Sequence, residues 1–203
     1  MMTLYYSPGA CSLADHIALH EAGEKFNLVK VNLKTHKLED GRAFKEINPK
    51  GYVPALQFDN GDVLTENIAI LTKIADRHPA LMAPGEHGRY RLLEMLAYIS
   101  TEVHKSFKPL FTPGASHDDR QKAREAISSR LEFLAPQVKG PYLFGEEMTV
   151  ADAYLFVMLL WAEKNGLSIP ESLKRLMGSM KARPTVQVAL QHEGLSARAQ
   201  AKA

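Results

Sequence analysis

The chain contains a single cysteine, and its setting suits sulfur chemistry. Leu4-Tyr5-Tyr6 is a strand candidate, Ser7-Pro8-Gly9 breaks it with turn residues, and Leu13, Ala14, Ile17, Ala18 and Ala22 recur at helical spacing until Gly23. Cys11 therefore falls at or just before the first turn of a helix. Unpaired N–H groups and about half a positive charge gather at such an end, which favours a thiolate over a thiol. The competing reading is a small buried hydrophobe. A second place for chemistry is Thr65-Glu66-Asn67, at the start of a helix where backbone N–H groups attract an anion. The structural alternative there is an acid complementing the helix dipole. A third is the stripe Ala97, Thr101, His104, Lys105 and Lys108, spaced by three and four, which alone reads as a solvated face.

Two other patterns are assigned away from the chemistry. His16 and His20 stand four apart and could share a metal, yet no glutamate follows His16 and no third ligand is evident, so no metal site is expected. Thr149-Val150-Ala151-Asp152 is a capping box, which gives Asp152 to helix nucleation.

The elements that must position these residues come in the order β-α-β-(α)-β-β-α over about the first 80 residues. Phe26 to Leu33 alternates as a strand, Thr35 to Gly41 is loop-like, and Arg42 to Ile47 reads as one short helix. Asn48-Pro49-Lys50-Gly51-Tyr52-Val53-Pro54 cannot be regular helix. Asp59-Asn60-Gly61-Asp62, between Ala55-Leu56-Gln57-Phe58 and Val63-Leu64, signals a tight hairpin, after which Thr65 caps a helix bearing Ile68, Leu71, Ile74 and Ala75 on one face. One crossover followed by a hairpin predicts a mixed, four-stranded sheet. His78-Pro79 ends the helix and Ala83-Pro84-Gly85 has linker composition. Beyond it everything reads as helix. One long helix runs through Leu93 and Leu110 to Thr112-Pro113-Gly114, and another through Ala126 and Val138 to Gly140-Pro141. Thr149 to Glu163 is apolar on nearly every side, and Glu171 to Ala182 and Val186 to His192 are shorter helices. The tail Ala197 to Ala203 has no apolar stripe and is expected to fray. Two domains follow: an α/β unit over 1–82 and an all-helical bundle over 86–203.

Composition narrows the function classes. Hydrophobic content of 45%, charged content of 24% and a net charge of +2 are ordinary for a globular chain and point to neither nucleic acid nor an anionic membrane. The start of the chain lacks signal-peptide features, and the longest apolar run, Ala153 to Ala162, falls short of the roughly 20 residues that span a bilayer. One cysteine forms no internal disulfide, which favours a reducing compartment, so a cytoplasmic location is expected.

A cysteine after a first strand, with Val53-Pro54 leading into another, resembles the thioredoxin fold. The helical domain behind a Pro/Gly linker makes the chain similar to the cytosolic glutathione S-transferases. Five motifs resemble the bacterial beta class over essentially the whole chain: Tyr6 to Leu13, Asn48 to Leu56, Leu64 to Ile70, Thr101 to Lys105 and Thr149 to Tyr154. The resemblance implies a thioredoxin-like glutathione-binding domain plus an all-α domain supplying the site for a small hydrophobic electrophile. It implies conjugation of glutathione, with thiol–disulfide exchange through Cys11 as a further activity. The alternatives are a monothiol glutaredoxin-like disulfide reductase and a non-catalytic binding protein. It makes Cys11 and His104 catalytic and gives glutathione contacts to Cys11, His36, Val53, Pro54, Glu66, Asn67, Thr101, Glu102, Val103 and His104. Tyr6, Ser12 and Lys105 are auxiliary candidates. Val53-Pro54 resembles the family's cis-proline, and His104 and Lys105 would lower the Cys11 pKa. Two residues depart from the pattern: His36 stands where the family commonly has lysine, and Ala97 where it has asparagine, which implies weaker glutathione binding. Glutathione enters as cosubstrate with no separate cofactor. The resemblance also implies a homodimer, for which the sequence adds the stretch Tyr90-Arg91-Leu92, expected to be exposed.

Overall fold

The computed structural model describes residues 1–196, so the tail from Ala197 to Ala203 lies outside the described residues. Strands β1 (Met2–Tyr6), β2 (Phe26–Asn32), β3 (Lys37–Leu38), β4 (Ala55–Gln57) and β5 (Val63–Thr65) form one sheet in the order β3-β2-β1-β4-β5. β1 and β2 run parallel with Leu4 opposite Leu28, and the β1–β4, β4–β5 and β2–β3 pairs are antiparallel. The sheet is mixed, as the crossover-plus-hairpin pattern predicts. It has one strand more than expected, because Lys37 and Leu38 pair with Val31 and Asn32 inside the segment read as a loop. Helix α1 (Leu13–Glu21) makes the crossover and α2 (Asn67–Arg77) follows β5. Thr65 does not cap α2 but ends β5, and Glu66 occupies the cap position without a side-chain cap bond. The hairpin turn is wider than a two-residue loop, closing with Phe58 N–H donating to the Asp62 carbonyl.

Period-two alternation sends β1 side chains to two cores. Leu4 and Tyr6 join the large core, whereas Tyr5 packs with Val31, Phe44, Val53 and Ala55 on the other face. The short helix expected at 42–47 is a 3₁₀ turn at Phe44–Glu46, and its Phe44 covers that second core.

Helices α3 (Gly88–Tyr98), α4 (Lys108–Phe111), α5 (His117–Leu134), α6 (Val150–Lys164), α7 (Glu171–Ala182) and α8 (Pro184–His192) build the other half. A Cβ at Gly88 would lie 1.9 Å from the Ala83 carbonyl oxygen, so only glycine lets α3 start against the linker. The large core is continuous across both halves, since α1 packs against α2, α6 and α8 as well as the sheet. For that reason α1 is buried from Leu13 to Leu19, Asp15 and His16 included. α6 runs through the middle of the helices, and its capping box has Thr149 N–H donating to Asp152 Oδ2 at 2.8 Å.

The long helix predicted to run to Thr112 is interrupted. Residues Ile99–His104 form a π-helical turn between α3 and α4, which widens the spacing beyond the α-helical three and four.

Candidate active site

A cleft of about 1050 Å³ opens between the two halves. Its first wall carries Cys11, Tyr52, Val53, Pro54, Glu66 and Asn67, all from the α/β unit. Its second carries Leu93, Ser100, His104, Lys105, Lys108 and Phe111 from the α3–α4 region, with Tyr154 and Trp161 from α6. The mix of one apolar floor, a few convergent polar groups and flanking cations suits an amphiphilic small molecule.

Cys11 sits one residue before Ser12, the cap of α1. Its Sγ lies 3.5 Å from the Val53 carbonyl oxygen, across the cis Val53-Pro54 bond from the next strand. Burial pushes the thiol up to about 12, Asp15 adds to the rise, and the N–H groups of Cys11 and Ser12 at the helix end only partly oppose it. The expected lowering is therefore corrected: the N-terminal field is present, but desolvation of the sulfur is larger. The loop is held from the helical half. Trp161 Nε1–H donates to the Gly9 carbonyl at 2.8 Å, and Gly9 N–H donates to Glu193 Oε2 at 2.8 Å. Gly9 has φ +70°, a left-handed backbone that glycine adopts without penalty.

His104 lines the cleft but is no cation at neutral pH. Burial, with Lys105 beside it, pulls its pKa down to about 4. Burial keeps the Tyr154 phenol protonated, and its oxygen lies 2.6 Å from His104 Nδ1. In the tautomer where Nδ1 accepts from that hydroxyl, the neutral ring carries its proton on Nε2 and can act as a donor. The indole of Trp161 meets the same ring edge-on at 5.0 Å and fixes its plane.

Glu66, at φ +73°, accepts from Tyr52 Oη–H at 2.8 Å and pairs with Lys50, whose hydrogen bond holds the carboxyl below its usual range. Asn67 Nδ2 donates to the Cys11 carbonyl at 3.1 Å, while its buried Oδ1 has no partner among the described residues. The side chain thus ties the start of α2 to the cysteine loop. His36 lies off the cleft lining, with φ +54° and Nδ1 at 2.8 Å from the Gly51 carbonyl oxygen.

Several expected site residues lie elsewhere. The π turn rotates Ser100, His104 and Lys105 onto the cleft and Thr101 away from it, where Thr101 Oγ–H donates to the Ala97 carbonyl at 2.9 Å. Glu102 pairs with Arg130 at 3.1 Å, and Val103 is wholly buried in the core. Tyr6 is buried with its ring 5.9 Å from that of His16, so it cannot serve as a thiol donor to the cleft. Ser12 is spent on its own loop, accepting from Ser7 N–H at 3.2 Å. At the surface Tyr90 is exposed as expected, but Leu92, on the inner face of α3, is fully buried.

The reading of the sequence missed Ser100, Tyr154, Trp161, Glu193, Lys50 and Tyr52. Trp161 and Glu193 carry no local signal, since their partner Gly9 is more than 150 residues away in sequence. The absence of a third ligand for His16 and His20 is also corrected: α8 brings His192 to them, with one ligand atom from each within 4.8 Å of the others.

The family model "Glutathione S-transferase, N-terminal domain" matches residues 10–77, and "Glutathione S-transferase, C-terminal domain" matches residues 95–184. The chain is 43% identical over 200 residues to glutathione S-transferase GstA of Escherichia coli O157:H7, covering 96% of this chain and 100% of that protein. Among solved structures, a bacterial beta class glutathione S-transferase of Sphingomonas chungbukensis superposes with a TM-score of 0.89 at 46% identity, covering 96% of this chain and 100% of that one. A sphingomonad glutathione S-transferase complexed with glutathione superposes with a TM-score of 0.88 at 44% identity, over 96% of this chain and 100% of that one.

Proposed function

The chain belongs to the glutathione S-transferase family, beta class among its kin, and from that premise we propose how its cleft works. It is a glutathione transferase: it directs the thiol of glutathione at an electrophile. The observation that carries the proposal is that Cys11 and His104 line one cleft, each as a neutral hydrogen-bond donor at pH 7.

In this reading glutathione lies along the first wall. Its cysteinyl backbone pairs with Val53 beside Pro54, its γ-glutamyl ammonium meets Glu66 near Asn67, and its glycyl end points toward His36, whose Nδ1–H is already given to the Gly51 carbonyl. The glutathione sulfur then stands between Cys11 and His104. As its proton leaves to solvent water in the open cleft, the Cys11 S–H and the His104 Nε2–H donate to the developing thiolate, and Lys105 and Lys108 add positive potential. Donors already in place when charge develops lower the barrier without reorganising. The electrophile is a small hydrophobic molecule seated against Leu93, Phe111 and Trp161, and proximity supplies most of the acceleration.

Residues 1–82 serve as the glutathione unit and 86–203 as the electrophile unit. The enzyme acts as a homodimer in the cytoplasm, where Cys11 stays reduced; the exposed rings of Tyr52, Tyr90 and Phe133 offer apolar surface for a two-fold contact. The test is a conjugation assay across aryl halides, enones and hydroxyethyl disulfide. Turnover of the first two supports the reading. Activity confined to the disulfide would replace conjugation with reduction, and glutathione retention with no turnover would leave a binding protein.

A further inference from the structure

We propose that His16, His20 and His192 form a binding site for a divalent transition metal of the zinc type, which clips α8 to α1. None of the three lines the glutathione cleft.

The three imidazoles form a triangle. Ring centroids stand 5.0 Å apart for His16–His20, 5.7 Å for His16–His192 and 5.5 Å for His20–His192. One ligand atom from each already lies within 4.8 Å of the others. A tetrahedral zinc with Zn–N of about 2.0–2.1 Å needs nitrogens about 3.3 Å apart, a closure of about 1.5 Å at most. His192 is the exposed member at the end of α8, so rotation of its side chain can supply that movement. Its exposure also gives the ion a path in and a water the fourth position.

Two observations make this more than a cluster of histidines. The Nε2 atoms of His16 and His20 are buried with no hydrogen-bond partner among the described residues. Buried ring nitrogens seldom go unpartnered, and a metal would satisfy both at once. In addition, Glu193 Oε1 sits 2.9 Å from His16 Nδ1, the carboxylate–histidine arrangement that turns the other nitrogen toward a metal. Phe26 and Tyr6 close the apolar side of the triangle.

Imidazoles bind a metal through a ring-nitrogen lone pair, and the Glu193 carboxyl beside His16 Nδ1 can hold that ring and offset part of the metal's charge. Three imidazoles select Zn²⁺, Co²⁺, Ni²⁺ or Cu²⁺ over Mg²⁺ and Ca²⁺, which prefer oxygen.

The experiment titrates tag-free, chelator-treated protein with Co²⁺ and follows its visible absorption. The expected result is saturation at one Co²⁺ per chain with the intense bands of a low-coordinate site, displacement by Zn²⁺ and a higher melting temperature with Zn²⁺. His20→Ala and His192→Ala should each weaken binding at least about tenfold. His192 is exposed, so its variant folds whether or not the His20 variant does. His117→Ala, at an exposed histidine elsewhere, and Cys11→Ala should leave binding unchanged. Absence of saturable Co²⁺ binding, binding that survives the double His20/His192 variant, or binding lost in Cys11→Ala would each overturn the proposal.

Discussion

Alkylation of Cys11 as a function of pH reads directly how far burial outweighs the helix end. As the chain's one cysteine, it makes every adduct with iodoacetamide assignable by mass. An exposed thiol of pKa about 8.5 is about one-tenth thiolate at about pH 7.5. With its pKa pushed up to about 12, the Cys11 thiolate fraction there is about 3 in 10⁵, roughly 3,000-fold less. A more basic thiolate is also a better nucleophile, and a Brønsted slope of about 0.4–0.5 over this gap returns a factor of about 40. The net expectation is alkylation about two orders of magnitude slower than that of free glutathione at about pH 7.5. The rate should climb about tenfold per pH unit through about pH 10 without levelling. A plateau below about pH 9, or a rate matching the free thiol, would refute the argument that desolvation beats the N-terminal field. The same logic makes glutathione disulfide a slow modifier of the free protein.

Other expectations follow from the same geometry. Cys11→Ala and His104→Ala should each lower kcat/KM for aryl-halide conjugation by about two- to tenfold, the scale of one neutral hydrogen bond, and a loss of activity beyond a thousandfold would contradict a donor role. Asp15→Ala should stabilise the protein by about 1–3 kcal/mol at neutral pH, because it removes a buried carboxyl with neither oxygen partnered among the described residues. Burial raises the Asp15 pKa, so the native state binds more protons than the unfolded one above about pH 4, and wild-type stability is lost as pH rises through that window. The gain in melting temperature should therefore grow from acid to neutral pH; a pH-independent gain would count against this cause. Asp152→Ala strips the acceptor from the N–H groups of Leu143 and Thr149 and from the Thr149 hydroxyl, and should cost about 3–5 kcal/mol in chemical denaturation. His36→Lys adds the missing cation and should tighten glutathione by up to about 1 kcal/mol by calorimetry, although lysine must take the left-handed backbone and forgo the bond to Gly51. Light scattering should report a dimer; a 22.6 kDa species at micromolar concentration would exclude it.

What the sequence determined by itself is whatever depends on neighbours along the chain. The apolar run Leu4-Tyr5-Tyr6 before a turn placed β1, alternation placed β2, the Asn60-Gly61 turn placed the hairpin, and the run from Thr149 placed α6 within about a residue. The same local logic put Cys11 beside the start of α1 and Glu66 and Asn67 beside the start of α2, so half of the cleft was legible before any folding was considered. The rest depends on depth and on distant partners. Periodicity says which face of a helix is apolar, but not how many layers cover it. Packing of α1 against the sheet, α6 and α8 together raises the Cys11 pKa and buries Asp15 and His16. Likewise, burial makes His104 neutral and packs it beside the Tyr154 hydroxyl, where its sequence neighbourhood beside Lys105 suggested one of a pair of cations. The π turn at Ile99–His104 re-aims four residues through a change of helical pitch that no propensity encodes. Trp161 and Glu193 reach Gly9, and His192 reaches His16 and His20, only because the last helices fold back onto the first. Desolvation and long-range hydrogen bonding are properties of the assembled core, and so the tertiary structure alone decided them.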